Sequence, residues 1–131
     1  MDKENLKSMK VLLVDDDDLI RTAMKYFFKN KTLIFQTAES AEQGLEYLDM
    51  EQWNIIISDY QLPGMNGVEF LGIVNRKFPN VIKVIITAFG DRDMVAEAEK
   101  IGVDDFVLKP FSARSITESL TRLLYIQQTE L

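Results

Sequence analysis

Short apolar runs alternate along this chain with segments of helical periodicity, and this alternation constrains the fold more than any other feature. The apolar runs occupy residues 11–14, 33–37, 55–59, 81–86 and 106–108. Apolar residues at helical spacing follow over about 19–29, 41–50, 67–77, 92–101 and 113–124. Runs that are apolar almost throughout are typical of strands covered on both faces. Strands and helices that alternate through short connections predict a doubly wound, five-stranded parallel sheet with right-handed crossovers.

Capping signals mark the boundaries of several predicted helices. Ser40 and Gln43 have the spacing of a capping box, in which each side chain satisfies a backbone N–H at the helix start. Asp91 is a suitable cap for the fourth helix, and Gly102 is placed to close it in the left-handed conformation. These signals support the same succession of elements as the apolar pattern.

Composition narrows the chemistry that the chain can perform. Its 131 residues include no cysteine and no histidine, which excludes disulfides, thiolate chemistry and a histidine base. Any metal must therefore be a hard cation held by oxygen ligands. A net charge of −6 disfavours binding to nucleic acid or to anionic lipid. The polar N-terminus does not resemble a signal peptide, and no apolar run approaches a membrane span, so we expect a cytoplasmic protein.

Functional side chains stand where the predicted strands end. Asp15 and Asp16 follow the first strand, Asp59 ends the third, Thr87 follows the fourth, and Lys109 follows the fifth. In a parallel α/β sheet these carboxyl ends meet at one edge, where ligands bind. Each residue alone has a simpler explanation as a helix cap, a strand residue or a loop cation. Their joint order across the strand ends predicts a common site.

Converging carboxylates point to magnesium and phosphate chemistry. Carboxylates in contact raise one another's pKa unless a cation neutralises them, and oxygen ligands without histidine suit Mg²⁺. Magnesium, an ammonium group and a hydroxyl together suit a phosphoryl group. One carboxylate could then be the nucleophile and form an acyl phosphate. Asp17 and Asp18, further along the aspartate run, are expected only to favour the helix start through its dipole.

The motifs at these strand ends resemble those of a known family, the receiver domain of two-component response regulators. The resemblance covers about residues 9–126 and implies a flavodoxin-like (βα)5 fold with strand order 2-1-3-4-5. It leaves residues 1–8 as a polar lead-in and 127–131 as a C-terminal tail or the start of a linker. The segments that carry it are Val11–Asp16, Ile56–Asp59, Leu62–Gly67, Ile85–Ala88 and Gly102–Phe111.

The resemblance implies a role for each residue at the site. Asp59 would take a phosphoryl group from a phosphohistidine on a partner kinase. Asp16 and Asp59 would ligate Mg²⁺ directly, together with the backbone carbonyl of Gln61, and Asp15 would act through a bound water. Lys109 would pair with a phosphoryl oxygen.

The same resemblance implies a switch and a control on the lifetime of the phosphoryl group. Thr87 would hydrogen-bond the phosphoryl group, and Phe106, where many receivers have tyrosine, would turn between outward and inward rotamers. Gln61 and Phe89 would flank the approach of the attacking water. Phe89 is bulky and apolar and cannot orient a water molecule, which predicts slow self-dephosphorylation. Lys109–Pro110 matches the position where receivers usually carry a cis peptide bond.

The partners implied are a sensor histidine kinase or a phosphotransfer protein. An output domain or effector would be controlled through the surface of the fourth helix, fifth strand and fifth helix, and a homodimer is an open alternative. No direct binding to nucleic acid or membrane is expected. The protein would not be a metabolic enzyme, because it would catalyse only its own phosphorylation and slow dephosphorylation.

Two other functions compete with this interpretation. A haloacid-dehalogenase-like phosphatase has a similar aspartate motif after a strand, but it needs Thr or Val where Leu19 stands, and its lysine precedes its last acidic motif. A flavodoxin-like carrier of FMN shares the fold, but the chain has no Ser/Thr/Gly-rich phosphate loop after the first strand. Turnover of a small phosphate ester would favour the phosphatase, and a bound yellow chromophore the flavoprotein.

Overall fold

The computed structural model describes residues 9–29, 31, 33–88 and 92–130, with side chains up to residue 124. The strands are β1 (Lys10–Val14), β2 (Ile34–Ala38), β3 (Ile55–Asp59), β4 (Ile82–Thr87) and β5 (Asp105–Leu108). The helices are α1 (Asp18–Phe28), α2 (Ala41–Met50), α3 (Gly67–Lys77), α4 (Arg92–Lys100) and α5 (Ala113–Glu130). All strand pairs are parallel, in the order β2-β1-β3-β4-β5. The predicted fold class and strand order are therefore confirmed.

The sheet separates two apolar layers, because successive strand residues point to opposite faces. On one face Leu12, Ile56 and Ile85 pack with apolar side chains of α2, α3 and α4. On the other face Leu13 and Ile57 pack with those of α1 and α5. Every residue of β3 is buried, so this strand lies at the centre of the domain and carries Asp59 at its end.

The second strand differs slightly from its predicted limits of 33–37. The hydrogen bond from Ile34 N–H to the carbonyl of Met9, 2.8 Å long, begins its pairing with β1. The pairing continues to Ala38, whose carbonyl accepts from Asp15 N–H at 3.0 Å. The partner strand, and not the local apolar run, thus determines where β2 begins and ends.

The helix caps follow the sequence signals with one change. Ser40 Oγ accepts from Gln43 N–H at 3.1 Å, but the Gln43 side chain accepts from Glu39 N–H at 2.7 Å, so the capping box is not reciprocal. Gly102 closes α4 with φ of +92°, as predicted. Asp91 lies outside the described residues. No helix in the described part of the chain is both long enough and apolar enough to cross a membrane.

Candidate phosphoacceptor site

Asp15 extends β1 into the sheet edge and is completely buried. Its N–H donates to Ala38 at 3.0 Å, and its Oδ1 accepts from Asp17 N–H at 2.9 Å. Its other carboxylate oxygen, Oδ2, is buried without a hydrogen-bond partner among the described residues. A buried oxygen without a partner is costly unless a bound group satisfies it.

The three aspartates after Asp15 have different surroundings. Asp16 is exposed at the sheet edge. Asp17 caps α1 by accepting from the N–H groups of Leu19 and Ile20, at 2.9 and 3.2 Å. Asp18 begins the helix and forms an ion pair with Arg21. The last two aspartates therefore stabilise the start of α1, as the sequence predicted.

Asp59 ends β3 and is almost inaccessible to solvent, at 4% exposure. Lys109 Nζ lies 2.9 Å from its Oδ1 and 3.1 Å from its Oδ2, and Gln61 N–H donates to Oδ1 at 3.3 Å. The backbone of Lys109 is held in turn by its N–H, which donates to Thr87 at 2.9 Å. The ends of β3 and β5, which lie on either side of β4, thus hold the carboxylate and the ammonium group against each other.

The structure brings Asp15, Asp16 and Asp59 together at the carboxyl edge of the sheet. One carboxylate oxygen from each lies within 4.8 Å of the others. Lys109 Nζ contacts Asp59 in this cluster, and Asp15 contributes a carboxylate whose buried Oδ2 has no hydrogen-bond partner among the described residues. These oxygen ligands fit a hard divalent cation such as Mg²⁺.

Burial raises the pKa of Asp15 from its ordinary 3.8 to about 6, and the charges of Asp59 and Asp16 add to this effect. The N–H of Asp17 and the charge of Lys109 lower the pKa and oppose part of the rise. Between pH 3.8 and about pH 6 the Asp15 carboxyl of the folded protein binds its proton more tightly than the same carboxyl in the unfolded chain. Stability is therefore lost as pH rises from about 4 to about 6.

We expect Asp15→Asn to stabilise the metal-free protein at neutral pH, because asparagine removes a charge that burial disfavours. The gain should be on the order of 1–3 kcal/mol at neutral pH. It should disappear below about pH 4, where the Asp15 carboxyl of the wild-type protein is protonated in both the folded and the unfolded state. Urea denaturation in EDTA across this pH range measures the difference. A difference that does not change with pH would contradict the burial argument.

The predicted switch and gate residues are partly described. Thr87 is buried at the end of β4, and its hydroxyl donates to the carbonyl of Ala88 at 3.2 Å. Phe106 pairs with Ile85 across the strands and packs, half-buried, against the core. The Gln61 side chain is exposed, whereas Phe89 lies outside the described residues. Lys109–Pro110 is a cis peptide bond, as expected.

Two residues next to the site were not singled out from the sequence. Arg21 donates from Nη1 to the carbonyl of Asp15 at 2.7 Å. Gly67 begins α3 so close to β3 that a Cβ atom there would lie 2.4 Å from the carbonyl oxygen of Asp59. The sequence signal for Arg21 is a cation in the acidic first turn of a helix. The signals for Gly67 are its place directly after a cap and at the end of the Leu62–Gly67 segment.

Comparison with known proteins agrees with this geometry. The family model of the response regulator receiver domain matches residues 11–121. Chemotaxis protein CheY of Listeria monocytogenes is 34% identical over 117 residues, covering 87% of this chain and 97% of CheY. The crystal structure of a CheY-like receiver domain protein from Methanospirillum hungatei JF-1 superposes with a TM-score of 0.86 at 26% identity, covering 95% of this chain and 99% of that one.

The chain belongs to the response regulator receiver domain family of two-component systems. Response regulator protein FleR of Pseudomonas aeruginosa is 35% identical over 113 residues. These make up 86% of this chain but only 24% of FleR. The chain therefore corresponds to nearly the full length of CheY and to about a quarter of FleR.

Proposed function

We propose that this receiver is cytoplasmic and accepts a phosphoryl group on Asp59 from a sensor histidine kinase or a phosphotransfer protein. The reaction depends on Mg²⁺. Phosphorylation changes the conformation of the surface formed by α4, β5 and α5, and this surface then controls an output domain, an effector or association with a second copy of the chain. The observation that carries the proposal is the buried Asp59 carboxylate, 2.9 Å from Lys109 Nζ and clustered with the carboxylates of Asp15 and Asp16.

In the transfer step an Asp59 oxygen attacks phosphorus, so that a P–O bond forms as the P–N bond of the donor phosphohistidine breaks. The electron pair of the broken bond leaves with the histidine of the partner. Lys109 holds the carboxylate beforehand and then pairs with a phosphoryl oxygen. Asp16, Asp59 and the Gln61 carbonyl would hold Mg²⁺, and Asp15 would act through water. When bound, the cation would offset negative charge on the phosphoryl oxygens.

Incubation with acetyl phosphate, a small phosphoryl donor, tests the proposal directly. We expect intact-mass spectrometry to show one added phosphoryl group per chain in Mg²⁺ and none in EDTA. Labelling that is unaffected by EDTA would contradict the role of the cation. Failure of the protein to become labelled, at any Mg²⁺ concentration, would contradict the proposal as a whole.

Asp16 should matter far more for Mg²⁺ affinity than Asp17, because the Asp17 carboxylate already caps α1. We expect Asp16→Ala to weaken Mg²⁺ binding by at least about tenfold, the usual scale for loss of a supporting or direct ligand. Asp17→Ser is the matched control, since serine removes the charge but preserves a helix cap. Equal weakening in the two variants, measured by calorimetric titration, would place the cation elsewhere.

The lifetime of the phosphoryl group is proposed to depend on Gln61 and Phe89. Gln61 is exposed beside Asp59 and can reach solvent that approaches the acyl phosphate. Phenylalanine cannot orient a water molecule by hydrogen bonding, so slow self-dephosphorylation is expected. Decay of the labelled mass in Gln61→Asn and Phe89→Ala checks this proposal, and unchanged half-lives in both would refute it.

The switch is proposed to begin when Thr87 exchanges its hydrogen bond to Ala88 for one to the phosphoryl group. The movement vacates space beside β5, and Phe106 turns into it. Within the surface that changes, Asp105 connects β5 to α5. Its Oδ2 accepts from Ser119 Oγ at 2.6 Å and pairs with Arg122, both of α5. One charge-assisted contact can reverse the relative populations of two states whose free energies differ by a few kcal/mol.

Beryllofluoride, a phosphoryl mimic, should therefore shift amide resonances from Asp59 through residues 92–124 in the wild-type protein. In Thr87→Ala we expect the shifts to remain near Asp59, because the relay hydroxyl is gone. Thr22→Ala, an exposed substitution in α1, should behave as the wild-type protein does. Propagation through α4 and α5 in Thr87→Ala would show that Thr87 is not the relay.

A further inference from the structure

Arg21 lies one turn into α1, and its side chain folds back onto the loop that follows β1. The side chain is only 14% exposed. Nη1 donates to the carbonyl of Asp15 at 2.7 Å. Nη2 pairs with Asp18 and lies 3.9 Å from Glu39 Oε2, at the end of β2. A planar guanidinium can make these contacts together because its donors diverge in a fixed fork.

The carbonyl that Arg21 binds belongs to the peptide group joining Asp15 to Asp16. The preceding peptide is already held, because Asp15 N–H donates to Ala38. The next one is held by Asp17 N–H, which donates to the Asp15 side chain. Because a peptide group is planar, fixing the carbonyl also fixes the backbone from which the exposed Asp16 side chain projects.

We propose that Arg21 is a positioning residue for the carboxylate cluster. By holding the Asp15 carbonyl, it directs Asp16 towards the place where a divalent cation would lie. Arg21 does not itself contact the cation. Asp18 and Glu39 lie near the other terminal nitrogen of the guanidinium, Nη2. The inference rests on the proposed function, since it assumes that Asp16 ligates Mg²⁺.

Electrostatics and positioning predict opposite effects when Arg21 is removed. Arg21 carries a positive charge beside the cluster, so its charge alone opposes the approach of a cation. If charge were its only effect, Arg21→Gln would bind Mg²⁺ more tightly. If Arg21 orients Asp16, the same variant binds more weakly, by about tenfold, the usual cost of removing a residue that orients a metal ligand.

Calorimetric Mg²⁺ titration of the full chain distinguishes the two. We expect Arg21→Gln to bind about tenfold more weakly than the wild-type protein, and Arg21→Lys to be intermediate, because lysine can replace only one hydrogen bond. Arg114→Gln is the matched control: it loses the same charge from an 89% exposed side chain of α5 paired with Glu118. Its Mg²⁺ affinity should equal that of the wild-type protein.

Thermal denaturation in EDTA separates a positioning role from a purely structural one. A lower melting temperature with unchanged or tighter Mg²⁺ binding in Arg21→Gln would overturn the inference. If Arg21→Gln does not fold, Arg21→Lys decides, and wild-type affinity in that variant overturns the inference. Failure of the wild-type protein to bind Mg²⁺ would refute the proposed function instead, so the two failures are distinguishable.

Discussion

Asp59→Asn is expected to abolish labelling by acetyl phosphate while leaving the fold intact. Asparagine keeps the size of the side chain and an oxygen that can accept from Gln61 N–H, so the end of β3 is preserved. It cannot form an acyl phosphate, because the amide lacks a nucleophilic carboxylate oxygen. The substitution removes the ion pair with Lys109, but it also removes a negative charge that raises the pKa of Asp15, and these opposing effects should leave the metal-free variant folded.

Asp49→Asn provides the matched control for this experiment. It makes the same chemical change at a half-exposed carboxylate of α2, which lies 3.7 Å from Lys77 Nζ and outside the cluster. Intact-mass spectrometry should show full labelling of Asp49→Asn and none of Asp59→Asn, and thermal denaturation should show that both are folded. Undiminished labelling of Asp59→Asn would mean that another carboxylate is the acceptor.

The sequence was sufficient to predict which elements form and which strand ends meet. Apolar runs and caps are local signals, and the carboxyl ends of parallel strands must share an edge whatever the loops do. The limits of β2 were less predictable, because its pairing with β1 determines them. The Gln43 side chain likewise accepts from Glu39 N–H instead of completing the capping box, because the loop before α2 places that N–H within its reach.

The electrostatics of the site could not be predicted from residue types alone. Asp15 and Asp16 are neighbours in the sequence, yet one is completely buried and the other is exposed. The difference arises because Asp15 continues the pairing of β1 with β2, whereas Asp16 leaves the sheet. The contact between Arg21 and the Asp15 carbonyl joins residues only six positions apart, but it could not be predicted either, because it depends on how α1 returns over the loop.

The close approach of α3 to β3 leads to the second large effect. Gly67 N–H donates to Tyr60 at 2.6 Å, which draws the start of α3 against the end of β3. A Cβ atom at Gly67 would lie 2.4 Å from the carbonyl oxygen of Asp59 and 2.9 Å from the Cα atom of Tyr60. Both contacts are with backbone atoms, so no side-chain rotation can relieve them. An alanine here must push α3 away from the strand that holds Asp59.

We therefore expect Gly67→Ala to lower the free energy of unfolding by about 1–3 kcal/mol, the usual cost of overpacking, and to slow phosphorylation by displacing Asp59. Gly72→Ala is the matched control within the same helix, because its Cβ atom would make only ordinary contacts at 3.8 Å. Alanine is the better helix former, so that variant should gain about 0.5–1 kcal/mol. Urea denaturation and acetyl phosphate labelling measure both effects. A loss of stability at Gly72 as large as that at Gly67 would show that the start of α3 has no special constraint.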